Sequence, residues 1–279
     1  MLKIREGSDF HIGYQFDQIN VDSKTIVNQI LPPLDGDKET VLLLCGDIGV
    51  AKQVKRIVNF LDIVVPRFKH VIYLFGNHEH YHSKLNNTFS IIDNAVASHL
   101  GYTPNLTIVG NEPQCISIDG VRFLCSTMWT DYGNGDPHVH ELVKRHINDH
   151  HYITNDDNSL VQPDDLSKIF HHTIQKFECL LDGYDNSRTV IATHHMPSFD
   201  AVDPMYMVDP TTRVLNHAFA SNLNEFIIKH KPAVWCFGHT HNKYNDFIGS
   251  TNLKCNPFGY AKEMNLYHKV YNPRFSFEV

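Results

Sequence analysis

Short apolar runs, each cut off by a glycine or a polar residue, set the rhythm of this chain. Val41-Leu-Leu-Leu-Cys45 and His70-Val-Ile-Tyr-Leu-Phe75 are apolar without alternation, as expected of strands covered on both faces. Thr189–Thr193, Ala233–Phe237 and Thr251–Asn256 are read as strands too. Leu2–Ser8 is expected to be a poor strand, because Arg5 and Glu6 stand where a doubly covered strand prefers Val or Ile. Between the runs the period changes. Val54, Ile57, Val58, Leu61 and Val65 predict a helix over 50–65 that Pro66 ends, and Ile91, Ile92, Ala95 and Val96 predict another over 86–100. Further helices are expected over 21–31, with Asp22 and Ser23 as candidate caps and Pro32-Pro33 as the stop, over 164–181, and around 222–230. Asp119-Gly120 between Cys115–Ile118 and Val121–Cys125 is a two-residue hairpin signal.

Strand–helix alternation followed by a strand-rich second half predicts a layered α/β fold. No repeat, low-complexity tract or interdomain linker interrupts it, so one domain over 1–279 is expected. The polar stretch 131–163, rich in Asn, Asp and His, reads as an insertion over one face; with the start of the next helix it forms a cap over about 131–172.

Composition narrows the classes. With 42% apolar and 20% charged residues, this is an ordinary globular chain. No apolar run nears the ~20 residues that span a membrane, and the first residues lack a signal-peptide core, so a cytoplasmic location is expected. The six cysteines show no Cys-x-x-Cys spacing. A net charge of −7 argues against a broad grip on nucleic acid, whose affinity rests on phosphate neutralisation. It leaves room for a small phosphorylated substrate beside bound cations. Histidine stands out, at 20 of 279 residues.

The candidate chemistry sits where the apolar runs stop. Asp9-Phe10-His11, Gly46-Asp47, Gly76-Asn77-His78-Glu79, His194-His195 and Gly238-His239-Thr240-His241 each follow a strand-like run. All offer oxygen or imidazole nitrogen and none a thiolate. Loops at the ends of parallel strands are where open α/β sheets gather functional groups. Six to eight such ligands exceed one tetrahedral zinc and fit a pair of divalent ions sharing a carboxylate. Such a pair clamps both ends of an in-line displacement at phosphorus.

In order and approximate spacing, these pieces resemble the motif set of the calcineurin-like metallophosphoesterases: D-x-H, G-D, G-N-H-[E/D], H-H and G-H-x-H, spanning Ser8 to His241. Met128-Trp-Thr-Asp131, Asn148-Asp149, Thr193–Ser198 and Asn256-Pro-Phe-Gly-Tyr260 are similar to a single-domain bacterial and phage branch. The resemblance implies a two-sheet sandwich flanked by helices, in four layers. It implies two divalent metal ions, manganese first, with iron, zinc or nickel as alternatives. By position, Asp9, His11 and His241 would hold one ion, Asn77, His194 and His239 the other, and Asp47 would bridge them. His78 would steady the phosphate and protonate the leaving oxygen. Asn77 and His195 would lie near the substrate, with His195 either behind the ligands or facing the ester. The implied reaction is hydrolysis of a phosphate mono- or diester, on a small, possibly nucleotide-type substrate, by a hydroxide held between the ions. A nuclease is the alternative, disfavoured by the lack of a basic stripe; a metal-binding scaffold is a third, disfavoured by the intact ligands.

One departure is visible. Phe258 stands where that branch often has Arg, so Lys144 or Arg145 in the insertion become candidates for binding phosphate. His78, His80 and His82 alternate and could line a cleft, although the spacing is better read as a solvated loop. Substrate choice is expected to lie with the cleft shape set by 131–172.

Overall fold

The computed structural model describes residues 1–13, 23–260 and 271–279. In the first sheet β1 (Lys3–Gly7), β2 (Val41–Cys45), β3 (His70–Leu74) and β4 (Leu106–Val109) run parallel, and β11 (Ser276–Glu278) pairs antiparallel with the outer side of β1. The second sheet has the order β5-β6-β7-β8-β10-β9, built from β5 (Gln114–Ile118), β6 (Val121–Ser126), β7 (Thr189–Thr193), β8 (Val234–Cys236), β9 (Tyr244–Ile248) and β10 (Thr251–Cys255). Its central strands β6, β7, β8 and β10 are parallel.

The unbroken apolar runs follow from double coverage. Val41, Leu43 and Cys45 of β2 face the second sheet, where Phe123, Cys125, Val190 and Ala192 complete a core between the sheets. Leu42 and Leu44 face outward onto α1 (Ser23–Ile30), α2 (Val54–Val64) and α3 (Thr88–Leu100). On the far side, α6 (Pro163–Leu181) and α8 (Asn224–His230) cover Leu124, Ile191 and Trp235 through Phe170, Phe177, Leu181 and Ile227. The result is the four-layer sandwich that the motifs implied. Asp119 and Gly120 both adopt positive φ between paired Ile118 and Val121, as a tight primed turn requires.

Several elements differ from expectation. The helix over 50–65 is a 3-10 turn, an α-helix and a second 3-10 turn that contains Pro66. Val21 and the candidate cap Asp22 lie outside the described residues. β4, β9, β11 and the six-residue α7 (Pro210–Leu215) carry no strong sequence signal; β9 is a half-polar edge strand. The insertion is packed, with α4 (Pro137–His146) and α5 (Asp149–Tyr152) burying Val139, Val143, Ile153 and Val161 against Tyr81, Leu85 and Trp129.

β1 is not marginal; it pairs on both sides. Arg5 points into the helical layer, where its guanidinium meets Asp37 at 2.6 Å and the carbonyls of Pro32 and Pro273 at 3.2 and 2.7 Å. Paired in this way, a buried charge is tolerated. Glu6 points between the sheets and accepts the Asn256 backbone N–H at 3.3 Å. Burial pushes its carboxyl up to about 8 from the usual 4.5. Below pH 4.5 both folded and unfolded chains hold this proton. As pH climbs toward 8 the unfolded chain loses it first, so stability declines across that window. Urea midpoints of the metal-free protein should therefore fall relative to those of Glu6→Gln between about pH 5 and 8; parallel profiles would show that Glu6 is ionised in the fold.

Candidate dinuclear metal centre

All the parallel strands that precede the motifs end on one edge of the sandwich. β1 delivers Asp9 and His11, β2 delivers Asp47, β3 delivers Asn77 and His78, β7 delivers His194, and β8 delivers His239 and His241. Backbone hydrogen bonds lock the loops together: Asp9 N–H to Gly46 O at 3.0 Å, His11 N–H to Asp47 O at 2.9 Å, and Gly238 N–H to His194 O at 2.9 Å. The loops after β2 and β3 crowd together at Gly76, where an added Cβ would collide with Asp47 Oδ1. At Gly46 it would stand 2.4 Å from His194 Nδ1, in a backbone with φ of +87°. Asp9, His11, Asp47, His239 and His241 also have positive φ. Each such residue costs on the order of 1–3 kcal/mol, and such outliers concentrate at functional sites.

The side chains form three overlapping groups, each with ligand atoms within 4.8 Å of one another: Asp9–His11–His241, His11–Asp47–His78 and Asp47–His194–His239. Asp47 is shared by two of them. Its Oδ1 lies 3.4 Å from His194 Nε2, and its Oδ2 lies 3.8 Å from His11 Nε2 and 3.7 Å from His78 Nε2. Burial acts to raise its carboxyl, but the His194 imidazole beside it holds it well below the usual carboxylate range. Burial, with the neighbouring imidazoles adding to it, pushes His11 and His239 well below the usual range, so both are neutral and able to donate a lone pair.

His194 gives the sharpest test of fit. Its Nδ1 lies 2.8 Å from the Cys45 carbonyl and must carry a proton to bond it. Its Nε2 then faces Asn77 Oδ1 at 3.1 Å and Asp47 Oδ1 at 3.4 Å. Three electron pairs converge with no hydrogen between them unless His194 is charged. Burial opposes that charge, yet Asp47, Asp9 and the Cys45 carbonyl raise the pKa to about 9. A divalent cation resolves the same conflict, and an Nδ1–H bond to a carbonyl is how metal-binding imidazoles are commonly oriented. His11 and His241 repeat the motif, with Nε2 atoms 3.1 Å apart and Asp9 Oδ1 3.5 Å from His241 Nε2. The donor set is oxygen and nitrogen throughout and fits two hard or borderline divalent ions.

Two further carboxylates hold this arrangement. Glu79 is wholly buried and accepts four backbone N–H groups, from Asp47, Ile48, Gly49 and Gly76 at 2.7–3.1 Å, plus the Tyr73 hydroxyl at 2.9 Å. Burial, with Asp47's charge, pushes its carboxyl up to about 7. Asp149, from α5, accepts Asn77 Nδ2 at 2.7 Å and the Tyr81 hydroxyl at 2.9 Å, which turns Asn77 Oδ1 toward His194. Both residues lie within recognisable motifs, but their spacing carries no sign of these bonds. Tyr260 adds a ring stacked on His11 at 4.5 Å and a hydroxyl 3.3 Å from His78 Nε2.

A cavity of about 390 Å³ opens over Asp47, Asn77, His78, His239 and His241. One wall comes from the insertion, through His146, Ile147 and Asn148; the other comes from 196–219, including Met196, Val202 and Phe219. The insertion therefore does not set the cleft alone. Lys144 and Arg145 are not in its wall: both are exposed, and Arg145 pairs with Glu141 at 3.0 Å. Phe258 packs beside Phe10 and Tyr271. Of the alternating histidines only His78 lines the cavity; His80 is buried beside Trp129 and His82 is not part of the wall. His195 is also fully buried and absent from the wall, backing His239 at 4.5 Å between ring centres.

This constellation, on this sandwich, is matched by a sequence model of the calcineurin-like phosphoesterases over residues 8–243, and the chain belongs to that family. It is accordingly a metallophosphoesterase, with His and Asp groups able to bind metal. An uncharacterized protein of Acanthamoeba polyphaga mimivirus is 28% identical over 274 residues, covering 95% of this chain and 94% of that protein. Phosphopantetheinyl hydrolase from Mycobacterium tuberculosis shares the fold with a TM-score of 0.65 at 16% identity, over 96% of this chain and 93% of that one. A Thermus thermophilus protein, TT1561, shares it with a TM-score of 0.52 at 13% identity, over 93% of this chain and 89% of that one. Among the described residues no helix is long and apolar enough to cross a membrane.

Replacing Asp149 with Asn removes the charge that holds Asn77 and Tyr81. Affinity for the more weakly held metal should drop about 10–100-fold, with little change in fold. Titration calorimetry with Mn²⁺ measures it, and an unchanged isotherm would assign Asp149 to packing alone. Glu79→Ala leaves four buried N–H groups without an acceptor and should lower unfolding free energy by at least about 3 kcal/mol, read from urea unfolding.

Proposed function

We propose that the chain is a single metallophosphoesterase domain with a cap around 131–172, and that it hydrolyses a small phosphate mono- or diester, possibly of nucleotide type. Asp9, His11 and His241 would hold one ion, and Asn77, His194 and His239 the other, with Asp47 between them. The observation that carries this reading is the position of Asp47, whose two oxygens face His194 on one side and His11 and His78 on the other. When bound, the ion pair would polarise the phosphoryl oxygens and activate water at neutral pH. Manganese is the first choice; iron, zinc or nickel suit the same donors.

The protein's own groups do the rest. Asn77 and His78 present polar atoms into the cavity and orient the phosphate. His78 Nε2 is the proton donor: as the bond from phosphorus to the leaving oxygen breaks, its proton passes to that oxygen. Burial lowers the pKa of His78, while Asp47 and Asp149 act to raise it; an imidazolium held against the leaving oxygen gives up its proton readily to a developing alkoxide. Asp149 and Tyr81 steady the loop, with the Tyr81 ring stacked 4.2 Å from that of His78. His195 supports His239 from behind. The acidic balance and modest cavity favour a small substrate over an extended nucleic acid.

Protein loaded with Mn²⁺ should hydrolyse bis-p-nitrophenyl phosphate. Asp47→Asn should lose metal and activity together. His78→Ala should keep its metal and lose roughly a hundred- to ten-thousandfold in kcat, most severely with poor leaving groups. Undiminished turnover in that variant would end the role given to His78. Inertness of the loaded protein on monoesters, diesters and oligonucleotides would favour a scaffold, and degradation of long single strands at physiological salt a nuclease.

A further inference from the structure

The cavity wall built from 196–219 differs in character from the ligand cluster it adjoins. Met196, Val202, Tyr206, Leu215 and Phe219 give it an apolar surface, all from the segment between β7 and α8. Met196 and Val202 are buried, and Phe219 stacks on His239 at 4.6 Å, so the wall continues directly from the ligand cluster. Polar atoms are interspersed, from Asn148, Thr212, Asn216 and Thr240, and none of these is charged. Among the described residues that line the cavity there is no Lys or Arg. The volume, about 390 Å³, is in the range of small-molecule sites, which combine apolar walls with a few polar groups.

We propose that this wall is a subsite for the organic arm of the substrate, and that it selects an uncharged, partly apolar arm. The proposal rests on the phosphohydrolase reading above. The reacting phosphate has partners in the ligand cluster; among the described residues, an arm lying along Val202 and Leu215 meets no Lys or Arg, and His146 stands in the other wall, from the insertion. Setting a carboxylate or second phosphate against such a surface strips its water without replacing it, at high cost. An aromatic or aliphatic arm with a hydroxyl or amide gains apolar contact and finds neutral hydrogen-bonding partners. Esters bearing a second anionic group, such as bisphosphates and nucleoside polyphosphates, are therefore disfavoured, whereas the single-phosphate ester of a neutral alcohol is accepted.

Monoanionic O-methyl phosphonates with one variable arm test this, as inhibitors of bis-p-nitrophenyl phosphate hydrolysis by the Mn²⁺-loaded protein. A phenyl arm should lower Ki by about tenfold or more relative to a methyl arm, as apolar pockets discriminate, and a carboxyethyl arm should raise Ki above the methyl value. Leu215→Lys should reverse the order of phenyl and carboxyethyl. Thr212→Lys puts a cation on the same wall from a half-exposed position and should do so with less disturbance of packing. Hydrolysis with equal Ki across the arms would overturn the subsite and leave the phosphohydrolase reading standing. Preference for the carboxyethyl arm in the unaltered protein would likewise overturn it. A loaded protein that hydrolyses nothing overturns both.

Discussion

Five hydrogen-bond donors converge on one buried carboxylate, that of Glu79, and the rest of the site depends on where they are held. Four are backbone N–H groups from the loops after β2 and β3. Neighbouring parallel strands leave such groups unpaired where their ladder ends, and buried N–H groups need acceptors. Glu79 supplies them and fixes the turn at Asp47, whose backbone is left-handed. Asp47 then stands between His194 and the pair His11 and His78. The strain of five left-handed non-glycine residues is held by this network and by the close approach of the loops at Gly46 and Gly76.

The site is thus supported in layers. The inter-sheet core brings the strand ends of the two sheets together. Glu79 and the loop hydrogen bonds set the backbone. Cys45 O and Asp149 set the orientation of the His194 ring and the Asn77 amide. The candidate ligand atoms are therefore oriented by hydrogen bonds that the protein itself supplies, the kind of support that keeps a site in its productive geometry. Asp149 also ties the segment of α4 and α5 to the centre, since it comes from α5 yet bonds a residue at the end of β3.

Much of the fold was legible because it is written in period. The doubly covered strands β2, β3 and β7, the hairpin at Asp119-Gly120, and the helices with clear apolar stripes follow from local pattern. Elements with weak or mixed patterns were not legible: β4 is four residues, β9 is a half-polar edge, and α7 is six residues. Arg5 and Glu6 read as defects in β1 because their compensation is distant in sequence, in Asp37, Pro273 and Asn256.

The sequence by itself determined the donor types, their order, and their place after strands, because ligand chemistry and strand periodicity are local properties. That was enough to expect a pair of ions sharing a carboxylate; which residues serve each ion, and His78 as a separate proton donor, came from the resemblance to the family's motifs. Only the tertiary structure decided what surrounds them. It removed Lys144 and Arg145 from the cavity, put His195 behind His239, revealed Glu79 and Asp149 as the groups that hold the ligands, and built the second cavity wall from 196–219. Each of these depends on which residues meet across long separations. Burial, the direction of a hydrogen bond and the shape of a cavity belong to those meetings, and no spacing along the chain encodes them.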